Sequence, residues 1–238
     1  MNLHALLQQR AVSGKPVRVG LIGAGKFGSM FLAQARLIEG IQVVGIADLQ
    51  IQRARNSLER TGWKAERMQT ATTAGQINDA AAAGRVALTE DSEQLIGAEL
   101  EVVIECTGNP EAGTRHALSA IDAGRHVVMV TVEADALVGP LIHKRADRAG
   151  VVYSMAYGDQ PALVCELVDW ARTCGFEVVA AGKGTKHLPE YHYSTPETVF
   201  DLYGFSAEQL TEGDLNAKSI GIGVGCAIGG KATAMPGC

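Results

Sequence analysis

Short apolar runs alternate along the chain with segments in which apolar residues recur every three or four positions. VRVGLI (17–22), IQVVGIA (41–47), RVALT (85–89), LEVVIE (100–105), HVVMV (126–130) and VVYSM (151–155) each have the length and β-branched content of a buried strand. Strands this uniformly apolar are covered on both faces, which is the condition of a parallel sheet. Repeated strand–helix units therefore predict an α/β fold with a doubly wound parallel sheet and right-handed crossovers.

The helical pattern is equally specific. Residues 2–10 read as a short amphipathic helix, with Leu3, Leu6 and Leu7 on one side and Gln8, Gln9 and Arg10 on the other, before Gly14 and Pro16 release the chain. Phe27, Met30, Phe31, Gln34 and Ile38 trace a mainly apolar face expected to pack on the sheet. The stretch Gln50 to Gly84 reads as helix with interruptions. PEAGTRHALSAIDAG carries Pro110 where a first helical turn accepts it, and ADALVGPLIHKRADRAG supplies the next helix. Beyond Gly158, DQPALVCELVDWARTCG forms one longer helix with Leu163, Val164, Leu167, Val168 and Ala171 on a common face, and FEVVAAG (176–182) follows as a strand. These changes divide the chain into an N-terminal helical arm (1–16), a sheet domain (17–158), part of a second domain (159–218) and an irregular Gly/Ala-rich tail (219–238).

The turn after the first strand carries the sharpest signal. Gly23, Gly25 and Gly28 fill a GxGxxG spacing between a strand and a helix, so that a tight turn, a close approach of pyrophosphate to backbone, and close helix–strand packing are all provided for. The helix beyond aims free N–H groups and its positive dipole end at the phosphates. Asp48 closes the second strand about 20 residues beyond Gly28, where a carboxylate holds an adenosine ribose and repels an extra phosphate. Arg53 and Arg55 on the next helix are placed to compensate a 2′-phosphate, which leaves NAD and NADP both open. This is the Rossmann pattern.

Ligands in such sheets lie beyond the carboxyl ends of the strands, which selects three loops: Gly23 to Gly28, Cys106 to Pro110 and Thr131 to Asp135. CTGNP would set Thr107, Gly108 and Asn109 beside the nicotinamide half of a dinucleotide. Cys106 reads as a small half-buried thiol rather than a nucleophile, since no base is paired with it. Glu133 and Asp135 are read either as acid–base or cation-binding groups or as acids stabilising a helix start. The cluster GKGTKHLPEYHYSTPETV (182–199) brings Lys183 and Lys186 to the point where a substrate domain begins, and a cation there would stabilise charge developing on a carbonyl oxygen. His187, Glu190 and His192 offer a divalent-metal alternative without any metal-site spacing.

Composition removes other classes. The chain has 238 residues, 47% hydrophobic and 20% charged, with a net charge of −5. That excludes general disorder and the basic footprint expected for nucleic acid or an anionic membrane surface. Cysteines 106, 165, 174, 226 and 238 form no CxxC pair, and no apolar run approaches the roughly 18 residues of a spanning helix. A cytoplasmic protein with a small-molecule substrate is expected, and a homo-oligomer is compatible with it.

VRVGLIGAGKFGSMFLAQ, VIECTGNPEAG, VEADALVGP, YSMAYGDQPALVCELVDWAR and AAGKGTKHLPEYHYSTPETV together resemble the DXP reductoisomerase-like (DRL) oxidoreductases, a group also labelled homoserine dehydrogenase-like. The resemblance runs from the N-terminus to about Lys218. It implies an NADP(H)- or NAD(H)-dependent oxidoreductase acting on a CH–OH group of a small polyol or sugar-derived substrate, with or without skeletal isomerisation. It implies cofactor contacts at Gly23, Ala24, Gly25, Lys26, Phe27, Gly28, Asp48, Thr107 and Gly108, and substrate-side or catalytic roles for Glu133, Asp159, Lys183 and Lys186. The acid motif that holds metal in isoprenoid reductoisomerases is not found, nor are homoserine dehydrogenase substrate motifs. The tail SIGIGVGCAIGGKATAMPGC has no strand or helix period, and the alternative is a truncated, non-catalytic dinucleotide-binding module.

Overall fold

A computed structural model describes residues 2–156 and 160–181. Residues 2–156 belong to one compact unit, and a second begins at Tyr157. In the first, seven strands form one sheet in the order β3-β4-β2-β1-β5-β6-β7. They are β1 (Val17–Ile22), β2 (Ile41–Ala47), β3 (Met68–Thr70), β4 (Val86–Thr89), β5 (Val102–Glu105), β6 (His126–Met129) and β7 (Tyr153–Met155). Every pairing is parallel. All seven carboxyl ends therefore lie along one edge of the sheet, and the order reverses at β1, between β2 and β5. This is the doubly wound Rossmann-like α/β sheet that the alternating runs predict.

Neighbouring residues on each strand turn to opposite faces, and two apolar layers result. Val19, Leu21, Val43, Ile46 and Ile104 join Leu32 of α2 (Lys26–Ala35) and Leu58 of α3 (Ile51–Arg60) on one side. Val44, Ala47 and Val103 join residues of α4 (Ala74–Ala82), α5 (Ser92–Gly97), α6 (Pro110–Asp122) and α7 (Val132–Ala149) on the other, among them Ile77, Leu95, Ile121 and Ile142. Gly20 and Gly45 face each other across β1 and β2 because Leu95 packs over both. A Cβ on Gly45 would stand 3.0 Å from Leu95 Cδ1, and one on Gly20 2.8 Å from Leu100 Cδ2.

The arm helix α1 (Leu3–Val12) buries no residue, and Leu3 and Leu6 remain exposed. It is held by polar contacts. Arg10 Nη2 donates to both oxygens of Glu101, at 2.7 and 2.5 Å, and Glu101 also accepts the Arg18 N–H at 3.1 Å.

Several expectations are corrected. The buried residues of α2 are Gly28, Leu32 and Ala35, with Phe27 and Phe31 partly buried beside them. Met30 is exposed, and Ile38 lies beyond the helix end. The stretch 50–84 contains strand β3, whose three residues are too few to show a period, and α5 also emerges from a sequence with little patterning. α7 begins at Val132 and runs through Pro140. Residues 176–181 form no strand and join none of the seven. β-branched residues extend into a strand only where a neighbour accepts their backbone groups. In the second unit, α8 (Gln160–Thr173) buries Val168, whereas Leu167 is exposed. The Trp170 and Phe176 rings stand 6.5 Å apart. No helix among the described residues is long and apolar enough to cross a membrane.

Candidate functional site

The carboxyl edge around β1, β2, β5 and β6 gathers four loops, and the glycines of the first are held for three different reasons. Gly23 has φ +101°, a conformation L side chains rarely adopt, and a Cβ there would lie 2.8 Å from the Cys106 carbonyl oxygen. Gly28 sits on α2 so close to the turn that a Cβ would fall 2.5 Å from the Gly23 carbonyl oxygen. At Gly25 a Cβ would meet nothing within 4 Å among the described residues. The protein's own packing therefore explains Gly23 and Gly28. Gly25 faces open space at the start of α2, where no side chain caps the helix and no acid stands in the first turn. An uncapped helix start with an open approach is suited to a phosphate.

Asp48 follows β2 with its carboxylate fully buried, and its oxygens face inward. Oδ2 accepts the Ala24 N–H at 2.8 Å, so that the acid pins the glycine turn, and Oδ1 accepts the Gln50 N–H at 2.9 Å. Arg53 from α3 covers what remains. Its Nε stands 3.0 Å from each oxygen and its Nη2 2.8 Å from Oδ1. The Arg53 side chain itself is half exposed. The acid expected to meet a ribose thus lies beneath a cation.

The third and fourth loops are joined through a group that the motif reading passes over. Glu105, the last residue of β5, is completely buried. Its Oε1 accepts the Thr107 hydroxyl at 2.6 Å and lies 3.3 Å from both the Thr107 N–H and His116 Nδ1. Its Oε2 accepts the hydroxyl of buried Thr131. Gly113 on α6 leaves space for this carboxylate, since a Cβ would stand 3.0 Å from Oε2. A buried ionisable group persists where each of its lone pairs finds a partner. One signal was available in the sequence: an acid closing an otherwise apolar strand run.

Cys106 donates its thiol proton to the Gly23 carbonyl at 3.0 Å and lies 3.3 Å from that of Ile22. Burial, with the charges of Glu105 and Asp48, pushes its pKa far upward. It stays a thiol, which agrees with its reading as a packing group. Glu133 and Asp135 stand in the first turn of α7, at the same edge of the sheet. Asp135 is tied inward by the Tyr153 hydroxyl at 2.8 Å. Burial, then the Asp135 bond and the nearby acids, raise the pKa of that phenol. Lys26 and Phe27 lie in the first turn of α2, Lys26 exposed and Phe27 partly buried. Asp159, Lys183 and Lys186, together with His187, Glu190 and His192, lie outside the described residues. Among those described, no group of three or more His, Cys, Asp or Glu is placed to hold a metal.

Residues 19–154 match the family model of the homoserine dehydrogenase NAD-binding domain, and residues 158–221 match that of the oxidoreductase DRL catalytic domain. No curated protein matches the chain. Among solved structures, an NAD-binding oxidoreductase from Klebsiella pneumoniae is 19% identical at a TM-score of 0.48, covering 67% of this chain and 39% of its own. A homoserine dehydrogenase from Thiobacillus denitrificans is 23% identical at 0.45, covering 62% and 30%. A Synechocystis biliverdin reductase, solved with biliverdin and NADP+, is 19% identical at 0.45, covering 67% and 43%. The chain spans less than half the length of each of these three structures.

Proposed function

Because the chain belongs to the family of the homoserine dehydrogenase NAD-binding domain, we propose that it is an NAD(P)-dependent oxidoreductase whose turn at Gly23–Gly28 receives the cofactor's diphosphate. The open approach at Gly25 is the observation that carries this reading, since a Cβ there would enter space that no described residue fills. The bound nicotinamide would supply or accept hydride. Everything else falls to side chains and backbone of this chain. The Lys26, Phe27 and Gly28 N–H groups at the start of α2 face the diphosphate, and the helix dipole adds to their attraction.

Arg53 supports NADP(H) over NAD(H). A bare carboxylate at Asp48 would repel a 2′-phosphate, but here the buried acid is neutralised from above and the half-exposed Arg53 side chain is the group a ligand meets. Arg55, partly buried two residues further along the same helix, is the other cation expected to compensate a 2′-phosphate.

The substrate is a small polyol or sugar-derived molecule with a CH–OH or carbonyl group, and the match of residues 158–221 to a catalytic-domain model supports turnover over a binding-only module. In this reading Lys183 or Lys186 donates a proton to, or takes one from, the reacting substrate oxygen and stabilises its negative charge. Glu133 and Asp159 orient the substrate hydroxyls. Coupled isomerisation is the finer alternative for the same residues. The test combines fluorescence titration with NADPH and NADH and turnover on a polyol panel. Lys186→Ala is expected to keep cofactor affinity and abolish turnover. An equal loss of both would show that the lysine serves structure alone.

A further inference from the structure

The edge of the sheet at β5 and β6 contains a hydrogen-bond arrangement with a directional consequence. Three successive backbone donors in the loop after β5 are committed inward. The Thr107 N–H faces Glu105 Oε1 at 3.3 Å, the Gly108 N–H donates to Thr131 Oγ1 at 3.0 Å, and the Asn109 N–H donates to Thr107 Oγ1 at 3.2 Å. Both accepting hydroxyls then pass their own protons to Glu105, one to each oxygen. A hydroxyl has one proton to give. Only an acceptor on two sides can align both threonines this way, and the buried carboxylate is that acceptor.

The backbone of the loop is thereby left with acceptors for a ligand. Asn109 uses its side-chain oxygen on the Ala112 N–H at 2.9 Å and its carbonyl on the Gly113 N–H at 2.8 Å. Thr107 and Gly108 are exposed, and among the described residues no donor reaches their carbonyl oxygens. Gly108 has φ +73°, so this backbone path is strained for residues with a Cβ. The Thr107 and Gly108 carbonyl oxygens are therefore left as backbone acceptors, with the Asn109 side-chain NH2 as the neighbouring donor.

We infer that Glu105 is a positioning residue that makes loop 107–109 an acceptor surface for the carboxamide NH2 of the nicotinamide. This rests on the cofactor reading above. Glu105 touches no ligand itself. It acts through Thr107 and Thr131, and His116 closes its remaining side. Glu105→Gln replaces one accepting oxygen by a donor of nearly the same shape. One threonine must then turn its proton outward or leave a buried donor unpaired, and the loop loses its single orientation.

The experiment compares two ligands on the full chain: NADP+, and 2′-phospho-ADP-ribose, which has the same adenosine and diphosphate but no nicotinamide. In Glu105→Gln the affinity for NADP+ is expected to fall at least tenfold while that for 2′-phospho-ADP-ribose stays within twofold. Thr131→Val removes the Gly108 anchor with the carboxylate in place and is expected to show the same selective loss, with Thr131→Ser restoring it. Thr131→Val carries the measurement if Glu105→Gln does not fold. Equal weakening of both ligands, or no weakening of either, overturns the inference. Wild-type protein that binds neither ligand overturns the cofactor reading instead, and so separates the two failures.

Discussion

The three glycines of the first turn separate folding from binding, and alanine at each position measures the separation. Gly23→Ala forces a Cβ onto a backbone with φ +101° and to within 2.8 Å of a backbone oxygen. Strained φ/ψ costs of order 1–3 kcal/mol, to which overpacking adds about 1–3 kcal/mol. Gly28→Ala meets the Gly23 carbonyl at 2.5 Å, and both partners are backbone, so α2 must move off the sheet. A loss of about 1–3 kcal/mol follows from overpacking alone, since Gly28 has ordinary helical backbone. Gly25 differs, since its φ of −75° is open to any residue and its Cβ would touch no described residue. The cost is limited to the poorer capping by alanine, about 0.5–1 kcal/mol. Chemical denaturation of the three variants should place Gly25→Ala near wild type and the other two well below it. NADPH titration should reverse the impression: Gly25→Ala keeps its fold yet loses at least tenfold in affinity, or about 1.4 kcal/mol. Wild-type affinity in Gly25→Ala would refute the assignment of that space to diphosphate. Destabilisation equal to that of Gly28→Ala would refute the claim that nothing in the protein needs the space.

Arg53→Ala is expected to uncover Asp48 and to move the NADPH to NADH affinity ratio at least fivefold toward NADH; an unchanged ratio in paired titrations would remove Arg53 from cofactor choice. Because burial holds Cys106 as a thiol and Cys174 is exposed, iodoacetamide at pH 8 followed by peptide mass mapping should label Cys174 and spare Cys106, and equal labelling would show the Cys106 environment to be open. Glu101 has its pKa below the ordinary 4.5: burial raises it, and the Arg18 N–H and Arg10 outweigh that and lower it. A carboxylate held this way stabilises the fold above 4.5 and loses that contribution as pH falls through its lower folded value. The protection of α1 amides, taken relative to their intrinsic exchange rate at each pH, should therefore fall in acid in wild type, and Arg10→Ala should already show low protection at pH 7. A pH-independent α1 would contradict the anchor.

The parallel sheet was legible because its strands are apolar on both faces, and the glycine turn because its spacing is bound to a strand before it and a helix after it. What escaped has physical causes. β3 is three residues of mixed polarity that extend because β4 offers an edge. Val179 sits in a strand-like run that finds no such edge. The position of Asp48 was readable, but its cover was not, since the approach of Arg53 depends on how α3 lies against the turn. Glu105 shows the limit most clearly. Its sequence signal was a single acid at a strand end, whereas its four contacts come from three residues, at positions 107, 116 and 131, which only the fold brings together.

The arm helix has a practical value that follows from where it is fastened. Arg10 is tied to Glu101, just ahead of β5, and a Cβ on Gly40, just ahead of β2, would lie 2.2 Å from the Leu7 carbonyl, so α1 rests by the strands' amino ends. A dye or surface tether attached to its solvent face, at Gln8 or Gln9, would stand across the full height of the sheet from the carboxyl edge. Immobilised or labelled protein prepared in that way would leave the ligand entrance clear.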